Sequence, residues 1–195
     1  SRQKEADETF TSAVFLGGGL CGILLLVAGA FGAEQLAFLL GARGEILPMT
    51  TVYLRTILCF SPCFLLNNIF LAFVRNDKAP QLAMAGMLLG SLANIVMDYI
   101  FIFPFRMGIF GAAFATGLSP VISMMVLSPY FFKKKNKFHF SKNSFLNLGL
   151  DKPCVKKIIT NGIPPFLTEA ASGIVMFLFN FIILRLTGNT GVAAF

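Results

Sequence analysis

The chain has 195 residues, 56% hydrophobic and 13% charged, with a formal net charge of +7, whereas a soluble domain carries about 25% charged residues. Uncharged runs such as 10–33 and 107–132 match the roughly 20 residues that a helix needs to cross the hydrocarbon core of a bilayer. This excludes an ordinary soluble domain and predicts an all-α polytopic membrane helical bundle.

Residues 1–8 are polar and charged and show no signal-peptide pattern. The chain stops just after an apolar segment, so its bounds read as those of a piece of a longer protein. The first span is predicted over about 10–31. It contains Gly17-Gly18-Gly19-Leu20-Cys21-Gly22, a formal match to the dinucleotide fingerprint. That fingerprint requires a preceding strand and a helix start. Inside an uncharged span the glycines instead allow a second helix to come close.

A loop with Gly41, Arg43 and Gly44 leads to the second span, about 49–74. Arg55 lies near its start and can extend its side chain to the interface. Pro62 should kink this span, with neighbouring helices satisfying the freed carbonyl. Asn67 and Asn68 are polar mid-span and either bond another helix or face a substrate cavity. The third span covers about 80–103. Pro80 suits a first helical turn, and Gly86 and Gly90 are spaced for close packing. After a short turn, the fourth span, about 109–132, opens with small residues over 111–117 and should kink at Pro120. Residues 133–157 form a basic polar stretch holding the one histidine, His139, which is expected to be solvated. The fifth span, about 158–186, carries Pro164-Pro165 and Glu169 and closes at the turn Gly188-Asn189-Thr190-Gly191. Cys21, Cys59, Cys63 and Cys154 lack metal-ligand spacing and are expected to be free thiols.

Five spans sort the loops onto two sides. One side holds residues 1–8, the turn 75–79 and the stretch 133–157, with twelve of the sixteen basic residues. The other holds Arg43, Arg55, Arg106 and Arg185. The positive-inside rule assigns the first side to the cytoplasm. Orientation thus accounts for the basic excess, and no nucleic-acid partner is needed.

Within the third span, Asn94 and Asp98 are four apart and share a helix face. A carboxyl group at the centre of a span costs about 3 kcal/mol and marks a functional candidate. Counting at 1.5 Å per residue from the non-cytoplasmic ends, Asp98 lies roughly 9 Å in, Asn94 roughly 15 Å and Thr116 roughly 12 Å. A tight turn makes the third and fourth spans antiparallel neighbours, so these oxygens form one cluster. The cluster suits a small hard cation such as Na⁺, or a proton carried on Asp98, or it is a buried polar trio that only joins two helices.

The run Leu71-Ala72-Phe73-Val74-Arg75-Asn76-Asp77-Lys78-Ala79-Pro80, followed by Gly90 to Asp98, Phe103-Pro104, Gly108-Ile109-Phe110-Gly111-Ala112-Ala113 and Ala115-Thr116-Gly117, resembles multidrug and toxic compound extrusion (MATE) transporters. Gly162-Ile163-Pro164 with Glu169, and Gly188-Asn189 with Val192-Ala193-Ala194, resemble that family's seventh helix. The resemblance implies helices three to seven of a twelve-helix, two-lobe transporter. Residues 1–132 would be four N-lobe helices, 133–157 the cytoplasmic linker and 158–195 the first C-lobe helix. It implies a Na⁺- or H⁺-coupled antiporter for cationic or amphipathic drugs, monomeric at full length, in the plasma or inner membrane. It also implies a cation site at Asn94, Asp98 and Thr116 with the backbone carbonyl of Ala112, a further ligand on a first helix that this chain lacks, and a possible C-lobe coupling acid at Glu169. No cofactor beyond the coupling ion is implied. A lipid-linked saccharide flippase of the same superfamily is the alternative, disfavoured by the lack of mid-span basic residues. The spans carry no Ser/His or His/Asp set, so an enzyme is not expected.

Overall fold

The computed structural model describes residues 2–77, 79–132 and 152–194. His139 and most of the 133–157 stretch lie outside the described residues. The chain divides into two compact units, one up to Asp151 and one from Lys152.

The first unit begins with one continuous rod: α1 (Arg2–Ala13), a π-helical segment (Val14–Cys21) and α2 (Gly22–Leu39). The Gly22 N–H bonds the Gly17 carbonyl, five residues back, which is the π pattern. The fingerprint-like glycines lie inside this helix, and Gly17, Gly18 and Gly22 serve packing. A side chain on Gly18 would overlap Leu66, and a Cβ on Gly22 would stand 2.9 Å from the Pro62 Cα. The rod ends where Gly41, at φ 96°, donates to the Phe38 carbonyl and Ala42 donates to the Ala37 carbonyl, a Schellman closure.

Next come α3 (Ile46–Cys59) and α4 (Ser61–Asn76), bent by 48° at Phe60. Sequence places the kink at Pro62, and the chemistry agrees. Pro62 has no N–H for the Leu58 carbonyl, and the Ser61 hydroxyl donates to that oxygen at 2.6 Å. The same hydroxyl lies 3.2 Å from the Gly22 carbonyl of α2. Then α5 (Pro80–Ile102) starts with proline at its first position, and α6 (Gly108–Phe132) returns antiparallel to it. The turn between them is fastened by the Phe105 N–H on the Ile100 carbonyl and the Met107 N–H on the Phe101 carbonyl. Pro120 does not interrupt α6, which runs unbroken from Gly108 to Phe132.

The core of this unit is a small apolar cluster of Leu71, Val74, Ala83 and Leu127 from α4, α5 and α6. Phe10 of α1 packs edge-on against Phe73 at 4.9 Å. Large apolar side chains otherwise face outward; Phe31 is 82% exposed and Ile95 65%. Lipid tails are as apolar as leucine, so such a surface is at home in a bilayer.

The second unit is α7 (Lys152–Ala194), 43 residues long. Two boundaries differ from expectation. The last six residues of the predicted linker are helical, and Gly188 to Gly191 continue the helix rather than forming a turn. A glycine costs a helix only about 1 kcal/mol relative to alanine, which is insufficient to end a helix of this length.

Among the described residues, four helical stretches are long and apolar enough to span a bilayer, 7–39, 80–102, 108–130 and 158–179, and the bent α3–α4 pair makes a fifth. The fold is an all-α membrane helical bundle, and Cys21, Cys59 and Cys63 are free thiols.

Candidate functional site

The site is built on the seam between α5 and α6. Gly86 and Gly90 present no side chain there. A Cβ on Gly90 would lie 3.2 Å from the Ser119 carbonyl oxygen and 3.2 Å from the Ser123 Cβ, and one on Gly86 would lie 3.3 Å from Leu127. The Ser119 hydroxyl donates to the Gly90 carbonyl at 2.8 Å. Towards the turn, a Cβ on Gly111 would stand 3.0 Å from the Phe101 Cβ. These contacts fix an antiparallel register: each step along α5 is an equal step back along α6. The register sets Asn94 level with Thr116 and Asp98 level with Ala112.

Asn94 and Asp98 are both half-buried. The Asn94 Nδ2 and the Asp98 Oδ1 are fully enclosed and have no hydrogen-bond partner among the described residues. They lie one turn apart on the same helix and do not bond each other. Rotating the Asn94 amide by half a turn would put its oxygen in the place of its nitrogen. A buried carboxylate oxygen without a partner is costly unless a cation or a proton accompanies it.

Thr116 and Ala112 are joined: the Thr116 hydroxyl donates to the Ala112 carbonyl at 2.9 Å. That carbonyl also stands four residues before the Thr116 N–H on the helical ladder, so both its lone pairs are in use. The Thr116 oxygen keeps its own lone pairs. Of the four oxygens that sequence assembles, the Ala112 carbonyl is thus already engaged.

Glu169 is exposed on α7, the second unit, one residue after Thr168, whose hydroxyl donates to the Pro164 carbonyl at 3.1 Å. Arg55 shares a cleft of about 420 Å³ with Glu34 and Thr51. Among the described residues no three of His, Cys, Asp and Glu gather as a metal cluster. Asp98 therefore brings a single negative charge to neutral donors, which matches a monovalent ion better than a divalent one.

Three further enclosed polar atoms have no partner among the described residues: the Ser12 hydroxyl, the Ser123 hydroxyl and the Oδ1 of Asn67, which the sequence marks as polar mid-span. Asn67 sits seven residues before Val74 of the core, and so on the same face of α4. Ser123 sits one turn before Leu127 on α6 and is 3% exposed. Asn67 is legible in the sequence as an amide inside an apolar span; nothing in the sequence alone marks Ser12 or Ser123.

The family model described as MatE matches residues 1–100 of the chain. The multidrug export protein MepA of Staphylococcus saprophyticus is 33% identical over 187 residues, covering 95% of this chain and 41% of that protein. The chain therefore spans less than half the length of that relative. Among solved structures, the inward-facing conformation of a multidrug resistance MATE family transporter of the MOP superfamily matches 98% of this chain and 47% of its own, with a TM-score of 0.81 and 25% identity. The outward-facing conformation of a multidrug resistance MATE family transporter of the same superfamily matches 98% and 42%, with a TM-score of 0.79 and 27% identity.

Proposed function

The chain belongs to the MatE family, and on that premise we propose that the protein it spans in part is a cation-coupled antiporter exporting cationic or amphipathic drugs across the cell membrane. The observation that carries this reading is the enclosed, unpartnered pair of Asn94 Nδ2 and Asp98 Oδ1 at the level of Thr116, in an otherwise apolar helix pair. Na⁺ or H⁺ at Asp98 would relieve the unpartnered carboxylate. By linkage, drug and cation must then weaken each other's binding for exchange to occur.

Similarity to a multidrug export protein supports the substrate class. Near-equal likeness to an inward-facing and an outward-facing structure supports motion with little rebuilding of the helices. The distribution of basic residues supports a cytoplasmic position for residues 1–8, 75–79 and 133–157 in a plasma or inner membrane. Glu169 is a candidate for a second coupling acid in the other lobe. The full-length protein acts as a monomer in this reading, with drug and bilayer as its partners. The flippase alternative lacks the deep basic side chains that a pyrophosphate headgroup needs.

The test is drug accumulation in cells expressing the full-length protein at varied Na⁺ and pH. Asp98→Asn should abolish ion-driven efflux while expression stays intact. Drug resistance equal to that of the unmodified protein would refute the assignment.

A further inference from the structure

Where α2 turns into α3, two opposite charges face one cleft without meeting. Glu34 of α2 and Arg55 of α3 both line the cleft of about 420 Å³, and both are exposed. Among the described residues neither makes an ion pair or a hydrogen bond. The Thr51 hydroxyl in the same wall is spent on the Leu47 carbonyl, to which it donates at 2.8 Å. Arg43 of the connecting loop lies over the Phe38 ring, 5.1 Å from its centre, so Glu34 is not its partner. Residues 32–55 hold two acids and two arginines, and this end is neutral overall.

Packing sets the two charges at nearly one depth. Gly22 meets Pro62 and Gly29 meets Leu58, so α2 runs antiparallel to α3 and α4. Counting on from Gly29, Glu34 falls opposite residue 53, within roughly 3 Å of the level of Arg55. Glu34 also lies inside the apolar stretch 7–39, roughly 8 Å from its end. A charge held within a span calls for a partner. Towards the middle of the span, Phe31 and Val27 precede Glu34 by three and seven residues, on the same face of α2, and both are exposed. Two unanswered opposite charges thus stand at the head of an exposed apolar stripe.

We propose that Glu34 and Arg55 form a headgroup site for a zwitterionic phospholipid with a primary ammonium, phosphatidylethanolamine. The Arg55 guanidinium presents a fork of donors that matches a phosphate. The Glu34 carboxylate accepts the ammonium N–H groups. The acyl chains then run along Phe31 and Val27. An anion would answer Arg55 alone and a cation Glu34 alone, whereas this headgroup carries both charges and suits an end that is neutral overall. The site uses none of the residues proposed to hold the coupling ion, and it requires only that the bundle sits in a bilayer.

The experiment is native mass spectrometry of the full-length protein in detergent, with phosphatidylethanolamine, phosphatidylcholine or phosphatidylglycerol of matched acyl chains added at equal concentration. Phosphatidylethanolamine should be held on the order of tenfold more tightly than either other lipid, the scale of one charge-assisted hydrogen bond. The choline headgroup has no N–H for Glu34, and the glycerol headgroup has no cation. Glu34→Gln should remove the preference and leave phosphatidylglycerol binding as it was. Arg55→Gln should weaken phosphatidylethanolamine and phosphatidylglycerol alike. Equal binding of the three lipids by the unmodified protein would overturn the assignment, and that comparison needs no variant to fold. Variants that keep the preference would also overturn it, because another part of the full-length protein would then answer the two charges. Soluble phosphoethanolamine in excess should fail to displace the lipid, since it lacks chains for the apolar stripe. Displacement would assign the site to a soluble phosphate ester and overturn the lipid.

Discussion

Two seams in the first unit are built with the same packing device and finished differently. Where the π segment and α2 meet α3 and α4, Gly18, Gly22 and Gly29 let Leu66, Pro62 and Leu58 come against the backbone. Nearby hydroxyls are closed off: Thr56 bonds the Val52 carbonyl, and Ser61 serves the Leu58 carbonyl that proline releases. Where α5 meets α6, Gly86 and Gly90 do the same packing work, but Asn94, Asp98 and Ser123 keep enclosed polar atoms unpartnered. Glycine-mediated approach is therefore a structural feature common to both seams. Function is to be sought where approach leaves polar groups open.

The contrast can be broken first at the closed seam. Gly22→Leu would drive a branched side chain into the backbone at Pro62, where even a Cβ stands 2.9 Å from the Cα. Overpacking against main chain costs about 3 kcal/mol, and the full-length variant should show a sharply reduced yield of monodisperse protein on size-exclusion chromatography. A smaller effect is expected from Ser61→Ala, which removes the hydroxyl donor to the Leu58 carbonyl beside Pro62. A lost bond of this kind is worth about 1 kcal/mol, visible as a few degrees of lowered melting temperature in detergent. The smallest effect sharpens the comparison most. Ser123→Ala removes a hydroxyl that is 3% exposed and has no partner, so its stability change should be about zero or slightly favourable. The same substitution would thus be harmful in one seam and harmless in the other, measured in one melting experiment.

Much of the fold is legible from residue order. Uncharged runs set the spans, and Pro62 marks the break between α3 and α4. The winding of Val14–Cys21 is not legible, because three glycines permit a π turn without requiring one; contact with Leu66 and Ile69 accompanies it. The length of α7 is misread at Gly188 because a local turn signal competes with the hydrogen bonds of a long helix, and a glycine costs only about 1 kcal/mol there. In the candidate site, the four-residue spacing of Asn94 and Asp98 is plain in the sequence, and the tight turn sets Thr116 beside them. The engagement of the Ala112 carbonyl is not plain, since it depends on which rotamer the Thr116 hydroxyl adopts. Ser12 and Ser123 are missed for a different reason. Whether a polar side chain is enclosed depends on which face its helix turns inward, and that is decided by neighbours distant in the chain.

On the proposed reading, the turn joining α5 and α6 would limit how ion affinity is changed. Residues 103–107 are held by bonds back to Ile100 and Phe101, with Arg106 at φ 52° and Gly108 at φ 56°. Together with the Ser119–Gly90 bond further down, this fastens the two helices into a hairpin that cannot open like scissors. On the proposed reading such a hairpin would move as one body, and any device that loosens an ion between Asn94 and Thr116 would have to press on it from a helix outside the hairpin.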